Sequence, residues 1–132
     1  MDTFQYISPE WAQEAMQRLR AELSAEKMKH VTSSMVTYYT DCPDGMNRAV
    51  YYRFVDGEID EVSIHEGQAP EAEFRITGEY DTFARISRAE MGSRSALMSG
   101  KLKLQGNMVK ALSLASVVDR MNKVLATIPS RY

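Results

Sequence analysis

A chain of 132 residues, 44% hydrophobic and 26% charged, fits one folded domain with a single core and excludes a disordered segment. A formal net charge of -2, with no basic run, excludes the electrostatic footprint that nucleic acid demands. No stretch approaches the ~20 apolar residues needed to cross a bilayer.

Ser8-Pro9 opens the first predicted helix, with a hydroxyl at the N-cap and proline where its missing N–H is harmless. Trp11, Ala12, Ala15, Met16, Leu19 and Leu23 recur at helical spacing, while Arg18, Arg20, Glu22 and Glu26 lie off that stripe. The spacing predicts an amphipathic helix over 9–28. Residues 31–40, 47–55 and 59–65 then read as strands, rich in β-branched and aromatic residues. Asp41-Cys42-Pro43-Asp44-Gly45 is the first loop, and Asp56-Gly57 is a type I′ hairpin signal, because both positions tolerate positive φ. The result is a three-stranded meander. After a longer connection through Glu66-Gly67-Gln68-Ala69-Pro70, residues 72–77 alternate, so Phe74 and Ile76 face the core and Arg75 faces water. Asp81 is the expected N-cap of a helix carrying Phe83 and Ile86, which Gly92 ends; residues 95–98 make a further helical turn. Gly100-Lys101-Leu102-Lys103-Leu104-Gln105-Gly106 is an alternating strand between glycines. Asn107 caps a last helix over 108–127, limited by Pro129. This element order predicts a single α+β domain.

The last helix is apolar around much of its circumference: Met108, Val109, Ala111, Leu112, Leu114, Ala115, Val117, Val118, Met121, Val124 and Leu125 against Lys110, Asp119, Arg120 and Lys123. An ordinary surface helix shows an apolar stripe little wider than about 100°. Two readings of the excess stay open: deep burial between sheet and first helix, or a wall of an apolar ligand cavity. The nine methionines suit both, since thioethers fill irregular gaps and adapt to variable ligands.

The stretch 72–77, then Phe83, then Ala96-Leu97-Met98-Ser99-Gly100-Lys101-Leu102-Lys103-Leu104-Gln105-Gly106-Asn107-Met108, resembles the sterol carrier protein type-two family. The Gly-Lys-Leu-Lys-Leu-x-Gly-Asn run is its most specific part. Where many members carry Asp-Pro after the glycine that ends the middle helix, this chain has Gly92-Ser93-Arg94-Ser95. The resemblance implies a largely antiparallel five-stranded sheet covered by helices on one face, with a hydrophobic tunnel between them. It implies binding and transfer, without chemistry, of a fatty acid, acyl-CoA, phospholipid or sterol-like ligand. Phe74 and Ile76 would form one wall, Phe83, Leu97 and Met98 another, Leu102 and Leu104 the floor, and Met108, Leu112 and Ala115 the lid side. Periodicity gives the inward facing of these residues; their contact with a ligand is implied by the resemblance.

Catalytic and metal-binding sets are not expected. His30 and His65 stand apart with no Cys or carboxylate at ligand spacing. Cys42 has acidic neighbours, which oppose thiolate formation. Asp60-Glu61 could turn one carboxylate inward and act as an isomerase-like proton shuttle, which keeps a small enzyme as an alternative. An interaction or dimerisation module serving an enzyme of hydrophobic metabolites is another. Lys101, Lys103 and Lys110 read as a solvated cluster or as contacts to an anionic head or membrane surface.

A single cysteine leaves no intrachain disulfide and makes a reducing compartment the expectation. Met1-Asp2-Thr3 shows no signal-peptide pattern and Pro129-Ser130-Arg131-Tyr132 is not a peroxisomal tail, so the cytosol is expected. The expected partners are a long apolar ligand and a transient membrane contact, on a monomer or weak homodimer without nucleic acid or cofactor. A dry cavity of ~400 Å³ would cost about 10 kcal/mol, comparable to a domain's whole stability. The cavity is therefore expected to hold lipid, to be partly watered, or to be partly collapsed by methionines.

Overall fold

The structure, a computed structural model, describes residues 3–132; the reading of Met1-Asp2 lies outside the described residues. Strands β1 (Phe4–Gln5) and β7 (Ser130–Arg131) form a small parallel pair. The remaining strands, β2 (Ser33–Thr40), β3 (Arg48–Val55), β4 (Glu58–Glu66), β5 (Phe74–Glu79) and β6 (Leu102–Gln105), form one sheet in the order β4-β3-β2-β5-β6. Three of its four pairings are antiparallel and β2–β5 is parallel, so the sheet is mixed. The parallel pairing has a simple cause. β4 runs in the direction of β2, and residues 67–73 carry the chain back across the sheet to the start of β2's free edge. Tyr38 Oη donates to Gly67 O at 2.8 Å and Glu73 N donates to Ser34 Oγ at 2.9 Å, which holds that connection on the outer face.

The sheet buries one face. Met35, Thr37 and Tyr39 of β2 alternate inward, as do Val50, Tyr52 and Phe54 of β3. The outer face carries Tyr38, Tyr51, Arg75 and Lys103; the Arg75 guanidinium lies 4.5 Å over the Tyr38 ring. On the inner face pack α1 (Pro9–Glu22), α2 (Tyr80–Ser87), α3 (Ser93–Met98) and α5 (Ala115–Leu125). Asp56 (φ 50) and Gly57 (φ 82) make the expected hairpin turn. The Ser8 and Asn107 caps also stand: Trp11 N donates to Ser8 Oγ at 3.2 Å and Lys110 N to Asn107 Oδ1 at 3.1 Å.

Three expectations need correction. The first helix ends at Glu22 rather than 28, and residues 25–30 form turns that still bury Met28. Asp81 is not an N-cap: α2 starts at Tyr80 after Glu79, and Asp81 lies in its first turn, 3.4 Å from Arg85 Nε. The predicted helix over 108–127 is two helices, α4 (Met108–Ser113) and α5, broken at Leu114. Ser113 Oγ donates to Lys110 O at 2.7 Å, and Leu114 N is shared between the Lys110 and Ala111 carbonyls. A serine hydroxyl that competes for a helix carbonyl tightens and bends the turn. The first turn of α4 is tied to the residue just before β5 by Lys110 Nζ, 2.8 and 2.9 Å from the Glu73 carboxylate oxygens.

Candidate functional site: an apolar cavity between sheet and helices

Folding one face of the sheet under α1, α2, α3 and α5 leaves an internal cavity of about 90 Å³. Met35, Thr37, Tyr39, Tyr52, Ile76 and Leu102 line it from the sheet, Phe83, Ile86 and Ser87 from α2, and Ser93 and Leu97 from α3. Val118, Met121, Asn122 and Leu125 close it from α5, and Tyr6 and Trp11 from the N-terminal segment. None of these side chains carries a formal charge. Where the resemblance implies a hydrophobic tunnel, this structure holds a small void with Met35 and Met121 on its wall. At ~24 cal/mol per Å³ a dry void of this size costs about 2 kcal/mol, which a domain sustains where a 400 Å³ void would not be sustained.

Four of the ten predicted residues meet at the cavity: Ile76, Phe83, Leu97 and Leu102. Phe74 is buried and Leu104 and Ala115 are half-buried, none of them on the cavity wall. The inward orientation expected for Met98, Met108 and Leu112 is not found: they are 90%, 55% and 74% exposed. Met98 follows Leu97 on α3, about 100° around the helix, so only one of the pair can face in. Met108 and Leu112 lie on α4, and the break at Leu114 separates its helical phase from that of α5. The inner residues of α5 are Val117, Met121 and Val124.

Several wall residues escaped the sequence reading. Met35, Thr37 and Tyr39 share one face of β2 by simple alternation, and Trp11 heads the stripe of α1, so a signal existed for each. Tyr6 had none. It is placed by the β1–β7 pairing, in which Phe4 N donates to Pro129 O at 2.8 Å and Tyr6 N to Arg131 O at 2.9 Å. Its ring then stands edge-on to Trp11 (5.3 Å, 82°) and to Tyr39 (5.9 Å, 76°).

The cavity wall is mostly apolar; its polar side chains are Tyr6, Thr37, Tyr39 and Tyr52 from the N-terminal segment and the sheet, and Ser87, Ser93 and Asn122 from the helices. The Tyr6 and Tyr39 hydroxyls are 3.3 Å apart, a long hydrogen bond. Burial pushes the Tyr39 phenol up to about 12 and holds Tyr6 and Tyr52 well above the ordinary phenol value. All three are neutral at neutral pH. Thr37 Oγ1 is buried beside these phenols with no partner at close hydrogen-bond geometry, and its interaction with the Tyr39 and Tyr52 side chains works against the rise of their pKa values.

Other chemistry is absent from this place. No three His, Cys, Asp or Glu side chains gather as a metal site among the described residues. His65 Nε2 lies 2.9 Å from Ser63 Oγ and His30 Nδ1 3.2 Å from Asp56, both away from the cavity. Asp60 and Glu61 are exposed. Asp60 faces Arg53 at 3.7 Å, and Glu61 accepts from Ser63 Oγ at 2.8 Å. Cys42 is buried, and that burial, more than its acidic neighbour, raises its thiol pKa while Arg48 opposes the rise. Lys101 and Lys103 line a polar, open cleft with Thr77 and Asp81.

The model of the SCP-2 sterol transfer family matches residues 5–119. The chain belongs to that family. Its fold is similar to a crystal structure of sterol carrier protein 2, at a TM-score of 0.84 and 23% identity over 94% of this chain and 99% of that one. It is also similar to a conserved hypothetical protein from Thermus thermophilus, at a TM-score of 0.80 and 23% identity, covering 99% of this chain and 94% of that one. A mutant of the sec-alkyl sulfatase PisA1 shares the fold more distantly, at a TM-score of 0.51 and 18% identity, over 74% of this chain but 14% of the enzyme. No curated protein matches the chain significantly.

Proposed function

We propose that the protein binds one long apolar molecule in the cavity between sheet and helices, and carries it within the cytosol without chemistry. The observation that carries this reading is the uncharged cavity wall built from Met35, Ile76, Phe83, Leu97, Leu102 and Met121, in a chain of the SCP-2 sterol transfer family. A fatty acid, acyl-CoA, phospholipid or sterol-like molecule would suit it. Burying ~16 methylenes contributes roughly 13 kcal/mol gross at about 0.8 kcal/mol each. Immobilisation, and the widening of a 90 Å³ void toward the ~300 Å³ or more of a ligand pocket, take back much of that gain. Micromolar affinity remains without any specific polar contact. The flexible side chains Met35 and Met121 are suited to yield to the ligand.

Transfer needs contact with a membrane. The exposed Met98, Met108, Val109 and Leu112 on α3 and α4 support a transient encounter with a bilayer surface. The isomerase reading loses its support, because Asp60 and Glu61 point to solvent.

Organic-solvent extraction of the purified protein, followed by mass spectrometry and a titration with a fluorescent fatty acid, tests this function. Co-purified lipid or saturable uptake is the expected result. Neither lipid nor uptake, with a stable dimer instead, would move the assignment to an interaction module.

A further inference from the structure

Charge is unevenly placed along this chain. It holds 16 basic and 18 acidic residues, yet residues 91–118 carry Arg94, Lys101, Lys103 and Lys110 and no Asp or Glu. The remainder has 12 basic against 18 acidic residues, so a cationic segment stands in an anionic protein. The same segment runs through α3, β6 and α4 and holds Met98, Met108, Val109 and Leu112, four of the seven large apolar side chains exposed among the described residues. α4 buries none of its residues. Met108 and Leu112 stand one turn apart on it, and Val109 lies three residues from Leu112, so the three side chains share one outward face. β6 is an edge strand of four residues, about 13 Å long, so α3 and α4 flank a short free edge. Lys110 pairs with Glu73, and Arg94 lies 3.9 Å from Asp119. Lys101 and Lys103 share an open cleft with Glu79 and Asp81 but form no ion pair among the described residues.

Exposed apolar side chains beside unpaired lysines suit an anionic lipid surface. The apolar groups enter the headgroup region, while the lysines lay their stems along it and reach the phosphates. A second copy of the chain seated on the same face would set like charges against each other. The first helix offers no rival face. Its apolar residues Trp11, Ala12, Ala15 and Leu19 are buried in the core, and Arg18 and Arg20 are held by the Thr127 and Ile59 carbonyls.

We infer that α3, the β6 edge and α4 form a docking face for an anionic bilayer, with Val109 and Leu112 entering the headgroup region and Lys101 and Lys103 facing lipid phosphates. The need for such contact rests on the carrier reading above; what is added is the charge of the surface and the residues that meet it.

Co-sedimentation with vesicles of phosphatidylcholine alone, or of phosphatidylcholine and phosphatidylglycerol two to one, tests it at low and high salt. The wild type should bind the anionic vesicles, bind the neutral ones weakly, and lose the difference at high salt. Each lysine near such a surface strengthens binding about 5-fold, so Lys101→Gln with Lys103→Gln should weaken it about 10–25-fold. Val109→Ser with Leu112→Ser should weaken binding to a similar degree. Gln13→Glu with Gln17→Glu, on the exposed side of α1, should stay within about twofold, because charges beyond a Debye length are screened. All three variants should take up a fluorescent fatty acid in vesicle-free buffer as the wild type does, since none of these residues lines the cavity. Equal binding to both vesicles, binding to neither, or an equal loss in the α1 variant would overturn the docking face. So would a stable dimer that Val109→Ser with Leu112→Ser dissolves, which would make the face an interface between copies. A wild type that binds anionic vesicles but takes up no fatty acid would uphold the docking face and overturn the carrier reading.

Discussion

Gly78 and Leu102 face each other across the β5–β6 pairing, and the missing side chain of one makes room for the other. A Cβ at Gly78 would lie 2.5 Å from Leu102 Cδ2 and 3.1 Å from Phe83 Cε2. Both of those side chains line the cavity. The sheet thus widens its inner face at one glycine so that two large apolar groups meet over it.

Gly78→Ala should therefore act on the cavity before it acts on the fold. The methyl group must displace the end of the Leu102 side chain and press on Phe83. Overpacking of this kind costs about 1–3 kcal/mol. A urea midpoint lowered by that amount is expected, together with a clear loss of affinity for a long-chain probe. Unchanged affinity would show that Leu102 does not form part of the binding wall.

Alkaline pH should unfold the protein through its buried phenols. Tyr6, Tyr39 and Tyr52 hold their protons more tightly when folded than the ordinary phenol near 10, and burial is the leading cause in each. The unfolded chain sheds these protons above pH ~10, while folded Tyr39 keeps its proton to about 12. Their contribution is complete below pH 10 and is lost as pH rises through the folded values. Stability should fall in that window by ~1.4 kcal/mol per pH unit for each phenol that stays protonated. Denaturant titrations between pH 8 and 12 check this, and Tyr39→Phe should reduce the steepness by one proton.

Two hairpin and loop glycines separate backbone conformation from space. Gly57 (φ 82) would place a Cβ 2.6 Å from Ala25 O and 2.8 Å from Ala25 Cα, whereas Gly45 (φ 81) has nothing within 4 Å. Gly45→Ala should cost only the left-handed strain, about 1 kcal/mol. Gly57→Ala adds a collision with backbone that cannot swing away, and should cost about 2 kcal/mol more. Chemical denaturation of the two variants side by side measures the difference.

Much of this was legible in the sequence, for reasons visible at single residues. Asp56-Gly57 fixed the hairpin because its turn type demands positive φ twice. Ser8, Asn107 and the Lys-Leu alternation of β6 carried their own local chemistry. What stayed hidden depends on contacts far apart in the chain. Tyr6 reaches the cavity because β1 pairs with β7. β5 pairs parallel to β2 because 67–73 recrosses the sheet, which alternation within β5 cannot reveal. The break at Leu114 follows from the Ser113 back-bond at 2.7 Å, and without it Met108 and Leu112 read as inward. Alternation in β2 does put Thr37 and Tyr39 on the inner face with Met35, but alternation alone does not say that their hydroxyls meet a cavity, which takes the helices packed over that face.

Trp11 is the chain's single tryptophan, 1% exposed and on the cavity wall, so it reports directly on what enters. Energy transfer from Trp11 to a conjugated polyene fatty acid, titrated in aqueous buffer, is the most direct test of a ligand-binding cavity. The account predicts saturable transfer with one site per chain and a micromolar midpoint, reversed by an unlabelled long-chain competitor. Transfer that is absent, or that rises without saturating and resists competition, would contradict it.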